Sequence, residues 1–562
     1  MVKKNINTDE ESLKFVPLGG LEEIGRNMMF FEYKNEIVII DAGLQFPEET
    51  TPGIDFIIPN VNYLEKNKEK IKALIITHAH YDHIGAIPYV LHKLGNPPMY
   101  CAAITKEIIL KRQEDFTNLA KPNIEVVKHG TQIKLGEYFN SEFFYLDHTI
   151  PDTIGVILKT PVGNMVHFVD FKFDYDNEGK PLRLDDFARI GKEGVHTLFI
   201  DSTNADEEGF SLSERIVEKN LEQLFKDAPG RVIVGTFGSL LTRLGEMIKI
   251  GIRLKRKIFV SGYSMKTNLQ IAQNLGYIKT EKGAILPLEE IHKYKDDKIL
   301  VLCTGAQGEP NASLMRIANG EHKFIKTKQG DMFVFSSSII PGNERGVQFL
   351  KDTLTRQGAK VYQSKHIDIH SSGHAPQEEL KEVFRLVKPK FVIPVHGYFF
   401  KRAANKENAV AVGIPEKNVL LMDNGQVAEL TKGGLNLTNK TVDAYYVMVD
   451  GLGVGDVSEV VLRDRRILSD EGMMVIIATL DKNRGHFLKK PDIISRGFIY
   501  LKDNQAMLEE IRNRLRHIIE KIPRHQEVEP EYVKSLIRDQ IGTFIYNKTQ
   551  RRPMILPVII EV

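Results

Sequence analysis

Residues Ala73–His83 read ALIITHAHYDH, an apolar run that ends in three imidazoles and a carboxylate within six residues. Ala73–Ile76 has the composition of a buried strand. The polar residues after it would leave from its C-terminal end, where layered α/β folds place their sites. His78 and His80 stand two apart and can point the same way from an extended backbone. Asp82 and His83 are adjacent, so their side chains diverge and would serve a second ion. Nitrogen and oxygen donors of this kind suit Zn²⁺ or Mn²⁺. A His-rich surface loop is the plain alternative, and a poor one for so dense a group directly after a buried strand.

Two ions need more donors than one loop supplies. His148 in LDHTIPD, Asp170 in HFVDFKFD and His396 in IPVHG each follow an apolar or aromatic run. Singly, each would read as a turn or hydrogen-bonded residue. Their shared setting makes them expected ligands, and an aspartate can bridge two ions. Asp41 in IIDAG also ends a strand and is expected to orient a ligand histidine rather than to ligate. His92 and His167 lack such a setting and are expected to be structural.

The bulk properties agree with a soluble enzyme. A chain of 562 residues exceeds one hydrophobic core, so roughly two to four domains are expected. Hydrophobic residues make up 42% and charged residues 27%, an ordinary globular balance. The formal net charge of +2 neither demands nor excludes nucleic acid, since a basic groove can sit within a neutral total. Cys101 and Cys303, the two cysteines, lie far apart. They argue against a disulfide scaffold or a Cys-ligated zinc site and fit a reducing compartment. Met1–Glu10 lacks the apolar core of a signal peptide, and no apolar run is long enough to span a bilayer. A cytoplasmic protein without a membrane partner is expected.

Residues 1–12 read as a flexible tail. From Leu13 to about Ile200 the pattern is mostly short strands, such as Met28–Tyr33, Glu36–Ile40 and Met165–Val169, with a helix expected from Asp82 to about Leu94. From about Asn204 strands and helices alternate, which implies a parallel sheet covered on both faces. Arg231–Val234, Lys257–Val260, Lys298–Leu302, Asp331–Phe335 and Lys360–Tyr362 are the strands. Ser239–Leu254, Met265–Leu275 and Asn343–Gln357 are helices. Ser211 and Glu214 have the spacing of a capping box opening a helix over Leu212–Phe225. A helix from Gln377 and the strand Phe391–Val395 lead to His396 and return the chain to the first domain, so the alternating block is an insertion. The expected divisions are 13–203 and 377–449 for the first domain, 204–376 for the insertion and 450–562 for a small α+β domain. In the last, Val475–Leu480 and Met554–Val562 are strands, and Leu508, Ile511, Leu515, Ile518 and Ile519 recur at helical spacing.

THAHYDH resembles the HxHxDH signature of the metallo-β-lactamase superfamily, with Asp41, His148, Asp170 and His396 in the order of its further motifs. DSTNA at Asp201–Ala205, SSGHA at Ser371–Ala375 and PVHG at Pro394–Gly397 resemble the motifs of the nucleic-acid-processing β-CASP group. PLGGLEEIGRNM, LQFPEE, TGAQGEP and IPGNE resemble the ribonuclease J family in particular, and that likeness runs along nearly the whole chain. Two departures stand out. Val169 occupies the position before the bridging aspartate where the family commonly has glycine, and Tyr398–Phe399 follow Gly397 where an acidic and then an aromatic residue are common.

The resemblance implies a metallo-β-lactamase αββα sandwich with an inserted parallel-sheet β-CASP domain and a small α+β C-terminal domain. It implies two divalent ions per subunit, Zn²⁺ foremost, with Mn²⁺ or Mg²⁺ as alternatives. The expected chemistry is in-line hydrolysis of an RNA phosphodiester by a metal-activated hydroxide, with Asp82 among the catalytic groups. His374 would protonate the leaving 3′-oxygen, and Asp201 would orient a ligand or tune that acid. Both 5′→3′ exonuclease and endonuclease activity in RNA maturation and decay are implied, with a preference for 5′-monophosphate ends. Ser372 and Gly373, beside His374, could present groups to a phosphate. Gly238 and Ser239 sit at an expected helix N-terminus with Arg243 one turn on. They read equally as an anion site or as an ordinary serine cap with a solvated arginine. A homodimer or homotetramer, or a hetero-oligomer with a paralogue, is implied. A small-molecule hydrolase would leave the insertion unexplained, a DNA nuclease fits the ribonuclease J-like stretches less well, and a non-catalytic subunit would not keep every ligand position filled.

Overall fold

The computed structural model describes residues 12–47, 50–117, 119–176, 178–340, 342–481, 486–499, 504–520 and 529–562. All of the expected tail but Ser12 therefore lies outside the described residues. So do Glu48 and Glu49 of LQFPEE, Pro341 of IPGNE and the side chain of Ile519. The chain forms two compact units, Met1–Phe46 with Phe56–Val447, and Pro47–Asp55 with Met448–Val562. The second unit thus begins two residues before the expected 450 and takes up a short segment from the first domain.

In the larger unit two sheets face each other. One is ordered, among the described residues, Leu435–Thr441, Gln426–Leu430, Leu13–Gly19, Met28–Tyr33, Glu36–Ile40, Ile71–Ile75, Met99–Cys101 and Ile124–Val126. The other runs Phe391–Val395, Thr197–Asp201, Gly163–Phe168, Thr153–Thr160, Asn140–Leu146 and Gln132–Lys134. Period-two alternation sends Phe15, Phe31, Val38 and Ile40 of the first sheet and Val156, Met165 and Phe199 of the second into one shared core. Phe15 and Phe199 meet there with ring centroids 4.4 Å apart. The opposite face of the second sheet, through Val166, Phe168 and Leu198, packs on helices Leu184–Glu193 and Gln377–Val387 by way of Phe187, Ile190, Leu380 and Phe384.

The strand Phe391–Val395 pairs in parallel with Thr197–Asp201, which pairs in parallel with Gly163–Phe168. Parallel register brings Asp170, Asp201 and His396 out at one end of the sheet. In the facing sheet Glu36–Ile40 and Ile71–Ile75 are also parallel, which sets Asp41 beside the start of the His78 loop. The return of the chain after the insertion therefore completes one edge of the site.

The insertion carries its own sheet, ordered Ile285–Leu286, Lys257–Ser261, Ile299–Cys303, Val232–Gly235, Met332–Phe335 and Lys360–Gln363, all parallel. Helices Leu241–Arg253, Tyr263–Asn274 and Glu344–Arg356 lie between its strands in sequence. Two local expectations fail. The helix expected over Asp82–Leu94 is broken into two single turns, Tyr81–Ile84 and Ile87–Val90, with Pro88 near the start of the second. The capping box does not form. The helix Glu214–Asp227 is capped by Ser213, Ser211 is held by Glu379, and the Glu214 carboxylate is taken by Lys172 and Arg243. Charged partners distant in sequence outbid the local pair.

The smaller unit has Met473–Asp481 at the centre of its sheet, antiparallel to Asp492–Arg496 and parallel to Met554–Glu561. Burial along Met473–Asp481 alternates strictly, so one face is covered. Helices Gln505–Glu520 and Pro530–Thr549 contribute Ile511, Leu515, Ile518, Ile537 and Ile541 to that core.

Candidate metal centre

Asp41, His78, His148, Asp170 and His396 each follow the end of a strand, and three of these exits are conformationally costly. Asp41, Asp170 and His396 have φ of 61°, 50° and 52°, a left-handed region that side chains with a Cβ enter at a cost and that clusters at functional sites. Val169 is not among the positive-φ residues. It is buried in the inter-sheet core instead. A side chain at this position thus needs none of glycine's freedom, because the unusual backbone belongs to Asp170.

The structure brings seven expected ligands together as two groups. His78, His80, His148 and Asp170 offer donor atoms within 4.8 Å of one another, and so do Asp82, His83, Asp170 and His396. Asp170 is the residue the two groups share. In the first, His80 Nδ1 lies 3.0 Å from His78 Nε2 and 3.1 Å from His148 Nε2. Asp170 Oδ2 is 3.5 Å from His78 Nε2. In the second, His83 Nε2 lies 3.3 Å from Asp82 Oδ2 and 3.2 Å from Asp170 Oδ2. His396 Nε2 is 3.4 Å from Asp82 Oδ2 and 3.6 Å from Asp170 Oδ1. Donors at zinc-type bond lengths around a tetrahedral ion sit roughly 3.3 Å apart, so both groups have the right size for a divalent ion.

The other ring nitrogen of most of these histidines is held by the protein. His83 Nδ1 lies 2.7 Å from Asp41 Oδ2, and the same carboxylate accepts the Thr77 amide. His148 Nδ1 donates to the Gly373 carbonyl at 2.7 Å. Thr77 Oγ1 is 3.1 Å from His78 Nδ1, and Thr203 Oγ1 is 2.6 Å from His396 Nδ1. Such partners fix the ring and turn the free lone pair toward an ion. Thr77 and Thr203 were not anticipated. Their adjacency to the His78 loop and their place in DSTNA were the available signals.

The electrostatics call for positive charge. Burial alone would push the Asp170 carboxyl up, but the imidazoles of His396, His83 and His374 outweigh it and hold the group well below the usual carboxylate range. Burial opposes charge on His83 and His396 as well. Yet Asp170, with Asp82 and Asp41 at the first and Asp201 and Asp82 at the second, holds His83 well above its ordinary value and His396 up to about 10. Burial and neighbouring imidazoles keep His78 and His148 well below theirs. Asp170 Oδ1 is buried without a hydrogen-bond partner. Convergent buried carboxylates of this kind are what a divalent cation satisfies.

His374 sits at the rim, its ring centroid 5.5 Å from those of both His148 and His396. Its Nδ1 lies 2.8 Å from Asp201 Oδ2, while Asp201 Oδ1 is 3.3 Å from His396 Nδ1. Ser372 Oγ accepts from Asn204 Nδ2 at 2.9 Å and from the His374 amide at 3.3 Å. At Gly373 a Cβ would come within 2.5 Å of His148 Cε1, so only glycine lets this loop close on the imidazole.

The other expected phosphate residues are arranged differently. Arg243 is buried. Its guanidinium meets Glu214 at 2.6 Å, the Ser371 carbonyl at 3.0 Å and His370 Nδ1. It is thus neither a solvated arginine nor a free cation. Gly238 packs on Met265, and the helix opens at Leu241 after Leu240, so Ser239 is not its cap. A cavity of about 260 Å³ beside His148 is lined by Arg183 and Arg243 but also by Asp147, Asp152, Asp174 and Glu214. That lining is net acidic and disfavours an anion. His167 is buried with both ring nitrogens unpartnered, which gives it no visible role in the centre. Cys101 and Cys303 are buried free thiols, each pushed up to about 12 by burial.

Comparison with known proteins agrees with this architecture domain by domain. Residues 22–157 match the metallo-beta-lactamase superfamily and 229–354 the ribonuclease J beta-CASP domain. Residues 363–415 match the Zn-dependent metallo-hydrolase RNA specificity domain and 460–562 the ribonuclease J C-terminal domain. The chain is 37% identical to ribonuclease J 1 of Streptococcus pyogenes serotype M3, covering 99% of each chain. It is 35% identical to ribonuclease J2 of Bacillus subtilis, covering 100% of each. A crystal structure of a protein of unknown function from Enterococcus faecalis V583 superposes with a TM-score of 0.53 over 75% of this chain and 100% of that one. At 15% identity that is a likeness of fold alone. With the domains in this order and relatives of this identity along its whole length, the chain belongs to the ribonuclease J family.

Proposed function

We propose that this metal-dependent ribonuclease holds one divalent ion on His78, His80, His148 and Asp170 and a second on Asp82, His83, Asp170 and His396. It hydrolyses RNA phosphodiesters to leave a 5′-phosphate on the downstream product. The convergence of two donor groups on the single carboxylate of Asp170 carries this reading. When bound, such a pair supplies an activated water and neutralises charge on the phosphoryl oxygens. The residues of the chain do the rest. Asp41 fixes His83, the Gly373 carbonyl fixes His148, and Asp201 with Thr203 fixes His396. Asp201 also holds His374 by Nδ1, which leaves Nε2 to protonate the departing 3′-oxygen. Zn²⁺ is the ion favoured by the three imidazoles of the first group.

The activity we assign is 5′→3′ exonuclease with endonuclease cleavage, preferring 5′-monophosphate ends, in cytoplasmic RNA maturation and decay. Ser372, Gly373 and His374 lie on the loop whose Gly373 carbonyl holds His148, and they are the substrate-binding candidates. Among the described residues no helix is long and apolar enough to cross a membrane. Assembly as a homodimer or homotetramer, or with a paralogue, is supported by the smaller unit. Ile494, Leu556, Val558 and Ile560 are exposed there. Their pairing with Val475, Ile477 and Thr479 puts them on the uncovered sheet face.

The test follows end-labelled RNA carrying a 5′-monophosphate or a 5′-triphosphate, with metal content measured on the same preparation. Faster decay of the monophosphate substrate and products bearing 5′-phosphates are expected. Equal rates would remove the end preference, and 3′-phosphate products would overturn the proposed direction of cleavage.

A further inference from the structure

Asn27, in the PLGGLEEIGRNM stretch, is 1% exposed and reaches the second donor group with its side-chain amide. Its Nδ2 lies 3.1 Å from His83 Nε2. That is as close as the two carboxylates of the group, Asp170 Oδ2 at 3.2 Å and Asp82 Oδ2 at 3.3 Å. The backbone ties Asn27 to the ligand loop, since its amide donates to the Asp82 carbonyl at 3.0 Å and its carbonyl accepts from the Gly43 amide at 2.8 Å. Its Oδ1, by contrast, is buried without a hydrogen-bond partner. It faces Gly20, where a Cβ would come within 2.3 Å of it.

His83 Nδ1 is occupied by Asp41, so Nε2 is the atom turned toward the centre. Nε2 cannot accept from Asn27 Nδ2 when it carries a proton, which Asp170, Asp82 and Asp41 favour, nor when it gives its lone pair to a cation, and an N–H beside that cation is repelled. A half-turn of the amide exchanges Oδ1 and Nδ2 in place. It relieves the orphaned oxygen and presents an acceptor where the donor stood. We propose that Asn27 Oδ1 is a fifth protein donor to the second ion. The inference rests on the two-ion reading given above.

The two positions then differ in kind. Three imidazoles and one carboxylate make the first suited to a four-coordinate ion. Two imidazoles, two carboxylates and an amide oxygen make the second harder and more crowded, suited to an ion that accepts five or six ligands, such as Mn²⁺.

The test uses the full chain, stripped of metal and titrated with Mn²⁺ by calorimetry and electron paramagnetic resonance. Asn27→Leu keeps the size and removes the donor, and Asn27→Asp keeps the shape and supplies a charged oxygen. The unsubstituted chain is expected to bind two Mn²⁺ ions. N27L should bind the second at least tenfold more weakly and the first within twofold, while N27D binds the second at least as tightly as the unsubstituted chain. Metal-free melting curves report whether each variant folds, and if N27L does not, N27D decides. Unchanged affinity in N27L, or weaker affinity in N27D, overturns the ligand role and leaves the two-ion centre standing. An unsubstituted chain that binds fewer than two ions overturns both.

Discussion

His374 Nδ1 lies 2.8 Å from Asp201 Oδ2, and the second oxygen of that carboxylate lies 3.3 Å from Nδ1 of the ligand candidate His396. One buried aspartate therefore serves the proposed acid and the metal centre together. His374→Ala should lower kcat by about 10²–10⁴, the usual worth of a positioned proton donor, and leave metal content unchanged. Asp201→Asn should lower both. Elemental analysis beside steady-state RNA cleavage separates these outcomes, and an H374A protein short of metal would remove the acid assignment.

Arg243 is bound to Glu214 and to the loop that carries Gly373 and His374. Its loss should misplace that loop rather than remove a phosphate contact. Arg243→Ala is expected to reduce kcat to the same degree on 5′-monophosphate and 5′-triphosphate RNA. A selective loss on the monophosphate substrate would favour the anion-site reading of Arg243 instead.

Val169 is buried in the inter-sheet core beside Asp170. Val169→Gly should cost roughly 2–4 kcal/mol through the cavity and the added backbone freedom, read by urea unfolding. Metal content of the folded protein should not change. A V169G protein as stable as its parent would show that the strand end needs glycine's freedom after all.

The seven expected ligands were legible because they follow apolar runs, and a run of that kind announces a strand whatever it pairs with. The parallel sheet of the insertion was legible for the same reason, with strand ends displaced by a residue or so. What could not be read lies in side chains whose partners are distant. Glu214 has the spacing of a capping residue but meets Lys172 and Arg243. Nothing near Gly373 in sequence marks its carbonyl as the partner of His148, 225 positions away. Asn27 sits in no ligand pattern, and only its approach to His83 marks it.

Glu214 also sets a pH dependence. Burial would raise its pKa, but Arg243 and Lys172 outweigh burial and depress it from 4.5 to about 2. A carboxyl depressed on folding contributes stability above its unfolded value of 4.5, and that stability is lost as pH falls toward 2. At about 1.36 kcal/mol per unit the contribution at pH 7 is at most roughly 3 kcal/mol. Glu214→Gln should therefore destabilise at pH 7, with the gap to the parent narrowing by roughly 1 kcal/mol by pH 3.5. Urea unfolding at both pH values checks it. A gap that stays constant would place the Glu214 contribution outside the ion pairs.

Asp170 stands between the two donor groups and is proposed to serve both ions. Metal content per chain, measured on the unsubstituted protein, Asp170→Ala and His78→Ala prepared side by side, tests it most directly. Two ions are expected in the unsubstituted protein, none in D170A and one in H78A, with RNA cleavage abolished in D170A. One ion in the unsubstituted chain, or two retained in D170A, would contradict it.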